Sequence, residues 1–222
     1  PTEQAIRASG LDFTLLRHAL YADILVGDLA DTLGSGLLHR PSGGARSAYI
    51  ARADLGISAA QILMRDEPSG NTYTETMERT WNGEEVAELM SEVWGKTIRF
   101  VPVDPTEWPR YMTEKWGVPP EISRSTVGTM QAVSAGVFDL ATQDYARITG
   151  RPPRDMRAFL EGIAHELGQI DRSQQAGAIR RQGLLAAGIG GANGLAIGKI
   201  VLFIDAVDED HAGFGVIVSR AH

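Results

Sequence analysis

The strongest constraint on the fold is a short apolar segment with β-branched character, residues 12–17 (DFTLLR), which lies between segments with helical spacing. Five or six residues of this kind are typical of a strand that is buried on both faces in a parallel sheet. Further strand-like segments follow at residues 47–50, 72–77 and 96–103, each beside a helical pattern. Strands that alternate with helices predict an α/β fold in which helices cover a sheet.

Several helices are marked by local end signals. Asn82 is followed three positions later by Glu85, the spacing of a capping box, and apolar residues then recur at helical intervals as far as Gly95. This pattern predicts a helix between Asn82 and Gly95. Asp54 is predicted to cap a second helix that runs to residue 64. Residues 21–33 carry Ile and Leu at helical spacing and are predicted to form a third helix.

The charge and the absence of cysteine exclude several classes of function. The chain has 28 acidic and 21 basic residues and no run of Lys and Arg that could follow a phosphate backbone, so we expect no nucleic acid partner. Because the chain has no cysteine, disulfides, thiolate nucleophiles and cysteine-ligated zinc are excluded, which fits a cytoplasmic protein. The first residues carry neither a basic leader nor an apolar signal core, so no secretory signal is predicted there.

Four segments, taken in order, resemble one known family. Residues 2–24 (TEQAIRASGLDFTLLRHALYADI) resemble the stretch of NmrA-like proteins and their quinone-reductase relatives in which a TE-x-x-(I/L)-RASGL helix leads into a (Y/F)T-(I/L)-LR strand. The matching residues are Thr2, Glu3, Arg7, Ala8, Ser9, Gly10, Leu11, Thr14, Leu16 and Arg17. The similarity continues through residues 49–63, 80–100 and 148–161. These proteins are atypical members of the short-chain dehydrogenase/reductase superfamily.

The resemblance implies that residues 1–161 are the C-terminal, substrate-side part of an NmrA-like NAD(P)-binding fold. We expect a partial Rossmann-type parallel sheet with helices, without the N-terminal nucleotide-binding half. In this family a glycine-rich turn places the dinucleotide pyrophosphate on a helix amino terminus. That turn, and the Tyr and Lys that transfer protons in the wider superfamily, are expected upstream of Pro1. Residues 162–222 fall outside the resemblance and are expected to form a glycine-rich C-terminal appendage.

The resemblance also indicates site residues at the carboxyl end of the strand at residues 12–17. Arg17, His18 and Ala19 are predicted to contact the nicotinamide end of NADP or NAD, and Tyr21 and Asp23 to contact the substrate. In an open α/β sheet this is where a ligand crevice lies. His18 replaces the Pro or Asn usual in the family, and Asp23 stands where relatives tend to have Glu. The structural alternative is that Arg17 is an ion-pair partner and His18 a surface loop residue, although imidazole could also donate a proton.

Trp108 is the remaining predicted substrate contact. It belongs to an aromatic and apolar set with roughly helical spacing, which either covers a substrate pocket or packs in the core: Trp108, Tyr111, Met112 and Trp116. No metal site is expected. His165 and Glu166 lack the second histidine of a zinc-binding helix, and residues 208–211 lack the spacing and the glycine of a calcium loop.

The glycine-rich appendage allows three interpretations. Gly191, Gly194 and Gly198 could form a nucleotide-binding loop, but the best strand follows these glycines instead of preceding them. Residues 184–204 could span a membrane as an apolar segment with small residues, a case weakened by Asn193 and Lys199. The favoured interpretation is a helix or loop followed by strands at residues 199–207 and 213–219, which could pair as a hairpin across an acidic turn.

Three functions are therefore compared. The leading hypothesis is that the full-length protein is an NAD(P)H-dependent oxidoreductase acting on a quinone or small carbonyl. This chain would then shape the acceptor pocket and be inactive alone, with most of the cofactor site outside it. The second is a non-catalytic NmrA-like sensor that binds a dinucleotide and regulates a partner. The third is a membrane-tethered module, although no membrane partner is expected; an exposed edge of the strand at residues 12–17 would favour self-association.

Overall fold

The computed structural model describes residues 2–27, 29–65, 70–168, 199–208 and 211–220. Its helices are α1 (Thr2–Ala8), α2 (Leu29–Ser35), α3 (Arg52–Met64), α4 (Gly83–Trp94), α5 (Trp108–Trp116), α6 (Pro120–Ser125), α7 (Val127–Ser134), α8 (Asp144–Thr149) and α9 (Met156–Gly168). Its strands are β1 (Phe13–His18), β2 (Leu20–Tyr21), β3 (Leu37–Arg40), β4 (Tyr49–Ile50), β5 (Asn71–Glu75), β6 (Arg99–Pro102), β7 (Lys199–Asp208) and β8 (His211–Arg220). The predicted α/β fold is confirmed.

Strand β1 lies inside a sheet with the strand order β5-β1-β8-β7. It runs parallel to β5 and antiparallel to β8, and β7 and β8 pair antiparallel to each other. Two smaller parallel pairs are formed by β2 with β4 and by β3 with β6. The predicted C-terminal hairpin is therefore confirmed. The exposed edge expected for β1 is not found, because β8 pairs with it.

Other interpretations of the C-terminal appendage fall largely outside the described residues. Gly191, Gly194 and Gly198 lie there, as does most of the candidate membrane segment at residues 184–204, whose last residues are in β7. Among the helices that the structure describes, none is both long enough and apolar enough to cross a membrane. Helix α9 continues across residue 161, and the proposed division of the chain at that point stays a prediction.

Two helix predictions are corrected by tertiary contacts. Residues 21–33 form a short 3₁₀ helix, Ala22–Leu25, and the start of α2 instead of one continuous helix. The apolar residues of this segment are nevertheless buried as predicted, since Leu25 and Leu29 both pack in the largest described cluster of buried hydrophobic residues, the main core. Helix α3 begins at Arg52, so Asp54 lies inside its first turn and does not cap it. The Arg52 N–H instead donates to Asp23 Oδ2 at 3.0 Å, a cap supplied from a distant part of the chain.

Helix α4 has the predicted boundaries because both end signals are satisfied locally. The Glu85 N–H donates to Asn82 Oδ1 at 2.8 Å, and the Asn82 N–H donates to Glu85 Oε2 at 3.2 Å. Gly95 ends the helix with φ of 61°, in the left-handed region that favours glycine. Val86 and Met90 bury the apolar face of α4 in the main core.

The site is positioned by the face of β1 and β5 that α3 and α8 cover. Leu16 of β1 packs there with Ile62 of α3 and Ile148 of α8. Successive side chains of a strand point to opposite faces, so the residue two positions after Leu16 lies on the same face. That residue is His18, the last residue of β1.

Candidate functional site

A buried histidine and a buried carboxylate meet where β1 and β5 end. His18 and Glu75 are register partners at the carboxyl ends of the two parallel strands. His18 Nε2 lies 3.5 Å from Glu75 Oε2, and the two side chains are only 3% and 0% exposed. A buried carboxylate is costly unless a positive or hydrogen-bonding group compensates its charge. This pair therefore sets the electrostatics of the strand ends.

Tyr21 connects this pair to a less buried position. Its hydroxyl lies 3.3 Å from His18 Nδ1, on the opposite side of the imidazole from Glu75, and the two rings are 6.0 Å apart. Tyr21 is the last residue of β2 and is partly exposed. The three side chains therefore form a line from the buried carboxylate, through the imidazole, to the phenol of a partly exposed residue.

Tyr145 of α8 completes what we call the strand-end cluster: His18, Tyr21, Glu75 and Tyr145. Tyr145 is 1% exposed and packs with Ala19 and Tyr21. Burial raises the pKa of its phenol, and the negative charges of Asp54 and Glu75 raise it further. Among the described residues, neither Glu75 carboxylate oxygen nor the Tyr145 hydroxyl has a hydrogen bond of good geometry. Buried polar atoms of this kind call for an explanation, and the described residues also hold others outside this cluster.

The other residues predicted at this strand end are placed differently. Arg17 points away from His18 and binds both carboxylate oxygens of Glu3 in α1, each at 2.7 Å. The hydrogen bonds that Arg17 donates to Glu3 raise the pKa of Arg17 above its usual value. Ala19 is buried, and its N–H donates to the Glu75 carbonyl at 3.1 Å. The structure thus brings His18, Ala19 and Tyr21 together, whereas Arg17 makes the ion pair of the structural alternative.

Asp23 and Trp108 have well-defined structural contacts. Asp23 accepts a hydrogen bond from the Arg52 N–H through Oδ2, and its Oδ1 lies 3.5 Å from Arg52 Nε. Trp108 is 5% exposed, its ring is stacked on Tyr111 at 5.3 Å, and its edge meets Trp116. Trp108 packs in a cluster separate from that of Tyr21 and Tyr145. These contacts match the core-packing alternative for Trp108, and substrate contact by either residue stays a prediction.

The sequence prediction missed three features. Glu75 and Tyr145 were not singled out, although a Glu in a strand-like segment, at an inward position of the alternation, is an unusual signal. The spacing Tyr-x-x-x-Lys, which was expected only outside this chain, occurs within it at Tyr111 and Lys115 of α5, so that expectation is wrong. Lys115 is exposed, and the Tyr111 hydroxyl lies 3.5 Å from Asp31 Oδ2.

A groove of about 590 Å³ lies elsewhere, beside α4 and the start of α9. It is lined by Met77, Glu78, Arg79, Trp81, Glu85, Glu88, Leu89, Glu92, Asp155, Met156 and Arg157. Its charges are largely paired within the protein. Glu85 forms ion pairs with Arg46 and with Arg79, and a separate ion pair joins Glu92 to Arg157. None of the residues of the strand-end cluster lines this groove. Because the charges of the groove are already paired within the protein, we place the candidate site at the strand ends instead.

The strand ends fit only one end of a dinucleotide. Ala19 is buried and Tyr21 is partly exposed, so the part of this cluster that a ligand could contact is small. Among the described residues, no strand is followed by a glycine-rich turn that opens a helix, the feature that holds a pyrophosphate.

Comparison with curated proteins finds distant relatives. The chain is 25% identical over 158 residues to Prestalk A differentiation protein A from Dictyostelium discoideum. It is 23% identical over 171 residues to NAD(P)H azoreductase from Xenophilus azovorans and 22% identical over 167 residues to Quinone oxidoreductase 2 from Escherichia coli. These matches cover 71%, 75% and 74% of this chain but 52%, 58% and 56% of the relatives, so the chain spans little more than half their length. No protein-family model matches the sequence.

Solved structures share the fold. The triphenylmethane reductase of Citrobacter sp. in complex with NADP(H) matches with a TM-score of 0.63 and 28% identity, over 71% of this chain and 55% of the reductase. The NADPH complex of the Escherichia coli quinone oxidoreductase QOR2 matches with a TM-score of 0.67 and 18% identity, over 73% of this chain and 57% of the oxidoreductase. NmrA, a negative transcriptional regulator in complex with NAD, matches with a TM-score of 0.54 and 19% identity. This match covers 76% of this chain and 58% of NmrA. The predicted resemblance to NmrA-like proteins is confirmed.

Proposed function

Because the chain shares its fold with NmrA-like proteins that bind NADP(H) or NAD, we propose that it is the substrate-side part of an NAD(P)H-dependent oxidoreductase. The observation that carries this proposal is the 28% identity to a reductase in complex with NADP(H), over 71% of the chain. The quinone and azo reductases among its relatives favour a quinone or another small conjugated acceptor. The proposed acceptor site is the strand-end cluster.

The cluster has the chemistry that an acceptor site needs. A reduced nicotinamide supplies hydride, and the protein supplies position, exclusion of water and a proton. Tyr21 is a partly exposed residue near the carboxyl ends of β1 and β5, where open α/β sheets bind ligands. We assign Tyr21 to the acceptor oxygen, and His18 and Ala19 to the buried layer beside the nicotinamide ring. Most of the dinucleotide, including its pyrophosphate, is assigned to residues outside this chain.

A second candidate function is a dinucleotide sensor without catalysis. The likeness to NmrA, described as a negative transcriptional regulator and bound to NAD, favours this alternative. Fold likeness alone does not separate the two functions, because one fold hosts both. They differ in turnover: a reductase consumes reduced cofactor when an acceptor is present, whereas a sensor binds the cofactor and leaves it unchanged.

Two titrations test the proposal. A water-soluble benzoquinone is titrated into the chain by calorimetry, and NADPH and NADH are titrated with detection of reduced-nicotinamide fluorescence. We expect saturable quinone binding that weakens in a Tyr21→Phe variant and is kept in a Tyr111→Phe variant. Quinone binding that does not saturate would contradict an acceptor site at the strand ends.

The cofactor titration then separates the remaining possibilities. Weak dinucleotide binding fits a site that lies mostly outside the chain, whereas tight, saturable binding would contradict that part of the proposal. Where cofactor does bind, loss of nicotinamide absorbance on addition of quinone favours the reductase. Binding without any loss favours the sensor.

A further inference from the structure

We infer that Tyr21, His18 and Glu75 form a proton-transfer chain, in which Tyr21 is the catalytic proton donor to the acceptor and His18 and Glu75 are its positioning residues. The inference rests on the proposed reductase function and assigns the residue that completes its chemistry. It also gives a role to buried charges that packing alone does not explain.

The geometry supplies a continuous path. Glu75 Oε2 lies 3.5 Å from His18 Nε2, and His18 Nδ1 lies 3.3 Å from the Tyr21 hydroxyl. Each contact uses a different imidazole nitrogen, so a proton can enter on one side of the ring and leave on the other. The His18–Tyr21 contact is at the long end of the hydrogen-bond range, whereas His18 and Glu75 lie at ion-pair distance without hydrogen-bond geometry. Catalytic hydrogen bonds in sites without substrate are often long and shorten when the substrate binds.

Burial gives the path a direction. Glu75 and His18 are 0% and 3% exposed, whereas Tyr21 is partly exposed. A buried carboxylate is disfavoured unless a hydrogen-bonding group faces it, and His18 Nε2 faces Glu75 in the structure. In the proposed step His18 carries a proton on each nitrogen, with Nε2 towards Glu75 and Nδ1 towards the Tyr21 oxygen. The Tyr21 oxygen then takes a proton from His18 as its own proton passes to the acceptor.

The proposed step balances for a quinone acceptor. The quinone gains two electrons and one hydrogen as hydride from a dihydronicotinamide donor, which is oxidised. The quinone oxygen left anionic takes the proton of the Tyr21 hydroxyl, and Tyr21 takes the proton from His18 Nδ1. His18 then remains neutral with its proton on Nε2, facing Glu75. A proton from solvent restores the imidazolium before the next turnover.

Tyr111 is the natural control for this assignment. With Lys115 it has the Tyr-x-x-x-Lys spacing, but its ring is stacked on Trp108 and belongs to another cluster. Replacing either tyrosine with phenylalanine removes one hydroxyl and leaves the ring. A comparison of the two variants therefore isolates the phenol that donates the proton.

The test is the reduction of a water-soluble benzoquinone by N-benzyl dihydronicotinamide, catalysed by the full 222-residue chain. The chain alone is expected to be inactive with NADPH or NADH, because most of the dinucleotide site is assigned to residues outside it. This hydride donor carries no adenine dinucleotide, so the assay needs only the acceptor site. We expect Tyr21→Phe to lower kcat by about 100-fold or more, in the range of general acid catalysis. The KM for quinone should rise by no more than quinone binding weakens in this variant, so the main loss should be in kcat. Tyr111→Phe, outside the strand-end cluster, should lower kcat far less than Tyr21→Phe does.

Glu75→Gln tests the positioning part of the chain. It keeps the size of the side chain and removes its charge, so we expect kcat to fall by about 10-fold with an unchanged KM. A purely structural role would instead alter KM and stability together, and circular dichroism verifies that each variant is folded. The inference is overturned if the parent chain does not accelerate the reaction, if Tyr21→Phe keeps kcat, or if Tyr111→Phe loses it equally. A lack of NAD(P)H binding would count against the proposed function but would not affect this assay, because the assay uses a different hydride donor.

Discussion

Replacing Gly83 with alanine should destabilise the protein through one contact. Gly83 is the first residue of α4 and is buried. An ideal Cβ at this position would lie 2.3, 2.4 and 2.6 Å from three ring atoms of Phe100 in β6. Carbon atoms in favourable contact are separated by about 3.5–4.0 Å, so the new methyl group would be about 1 Å too close. The ring of Phe100, or the start of α4, must therefore move.

The cost can be placed within a narrow range. Overpacking by one methyl group costs about 1–3 kcal/mol, and exchanging glycine for alanine in a helix returns about 0.5–1 kcal/mol. A contact about 1 Å too short with three ring atoms puts the overpacking cost in the upper part of this range, at about 2–3 kcal/mol, so we expect Gly83→Ala to lower the free energy of unfolding by about 1–2.5 kcal/mol. For a chain of this size, Tm should fall by about 2–10 °C.

Urea unfolding followed by circular dichroism measures this change. Gly56→Ala is a matched control, since Gly56 is exposed in α3 and its Cβ would meet nothing within 4 Å. The control should gain about 0.5–1 kcal/mol. A second substitution, Phe100→Leu, should recover part of the stability that Gly83→Ala loses. If Gly83→Ala is as stable as the parent chain, the described packing of α4 against β6 is wrong.

Two further predictions concern the start of α4. Asn82→Ala removes the acceptor of the Glu85 N–H and should cost about 1 kcal/mol in urea unfolding, whereas Asn82→Ser should keep most of it; equal stability of the two variants would refute the cap. Burial raises the pKa of Glu85, but hydrogen bonds from Arg46 and the Asn82 N–H, with the charges of Arg46 and Arg79, lower it overall. Glu85 therefore stabilises the fold above its unfolded pKa of about 4.3, and this contribution is lost as pH falls through the lower folded pKa. Stability measured against pH should show the loss in the parent chain and not in Glu85→Gln, and parallel curves would contradict it.

Part of the candidate site could be predicted from the sequence. Tyr21 and His18 were predicted because they follow a recognisable strand, and the ends of parallel strands are where ligands bind. Glu75 and Tyr145 could not be predicted, since their role depends on the register of β1 with β5 and on the packing of α8. The same long-range information shows that Arg17 pairs with Glu3 and that Trp108 packs among other aromatic rings.

The sequence by itself determined the elements whose signals are local. Strand β1, helix α4 with its Asn82 cap and Gly95 end, and the C-terminal hairpin follow from side-chain periodicity and backbone preference within a few residues. Only the tertiary structure decided how residues 21–33 divide, that Asp23 caps α3, and that Glu75 faces His18. These features depend on groups far apart in the chain, whose contacts exist only after the strands and helices have packed.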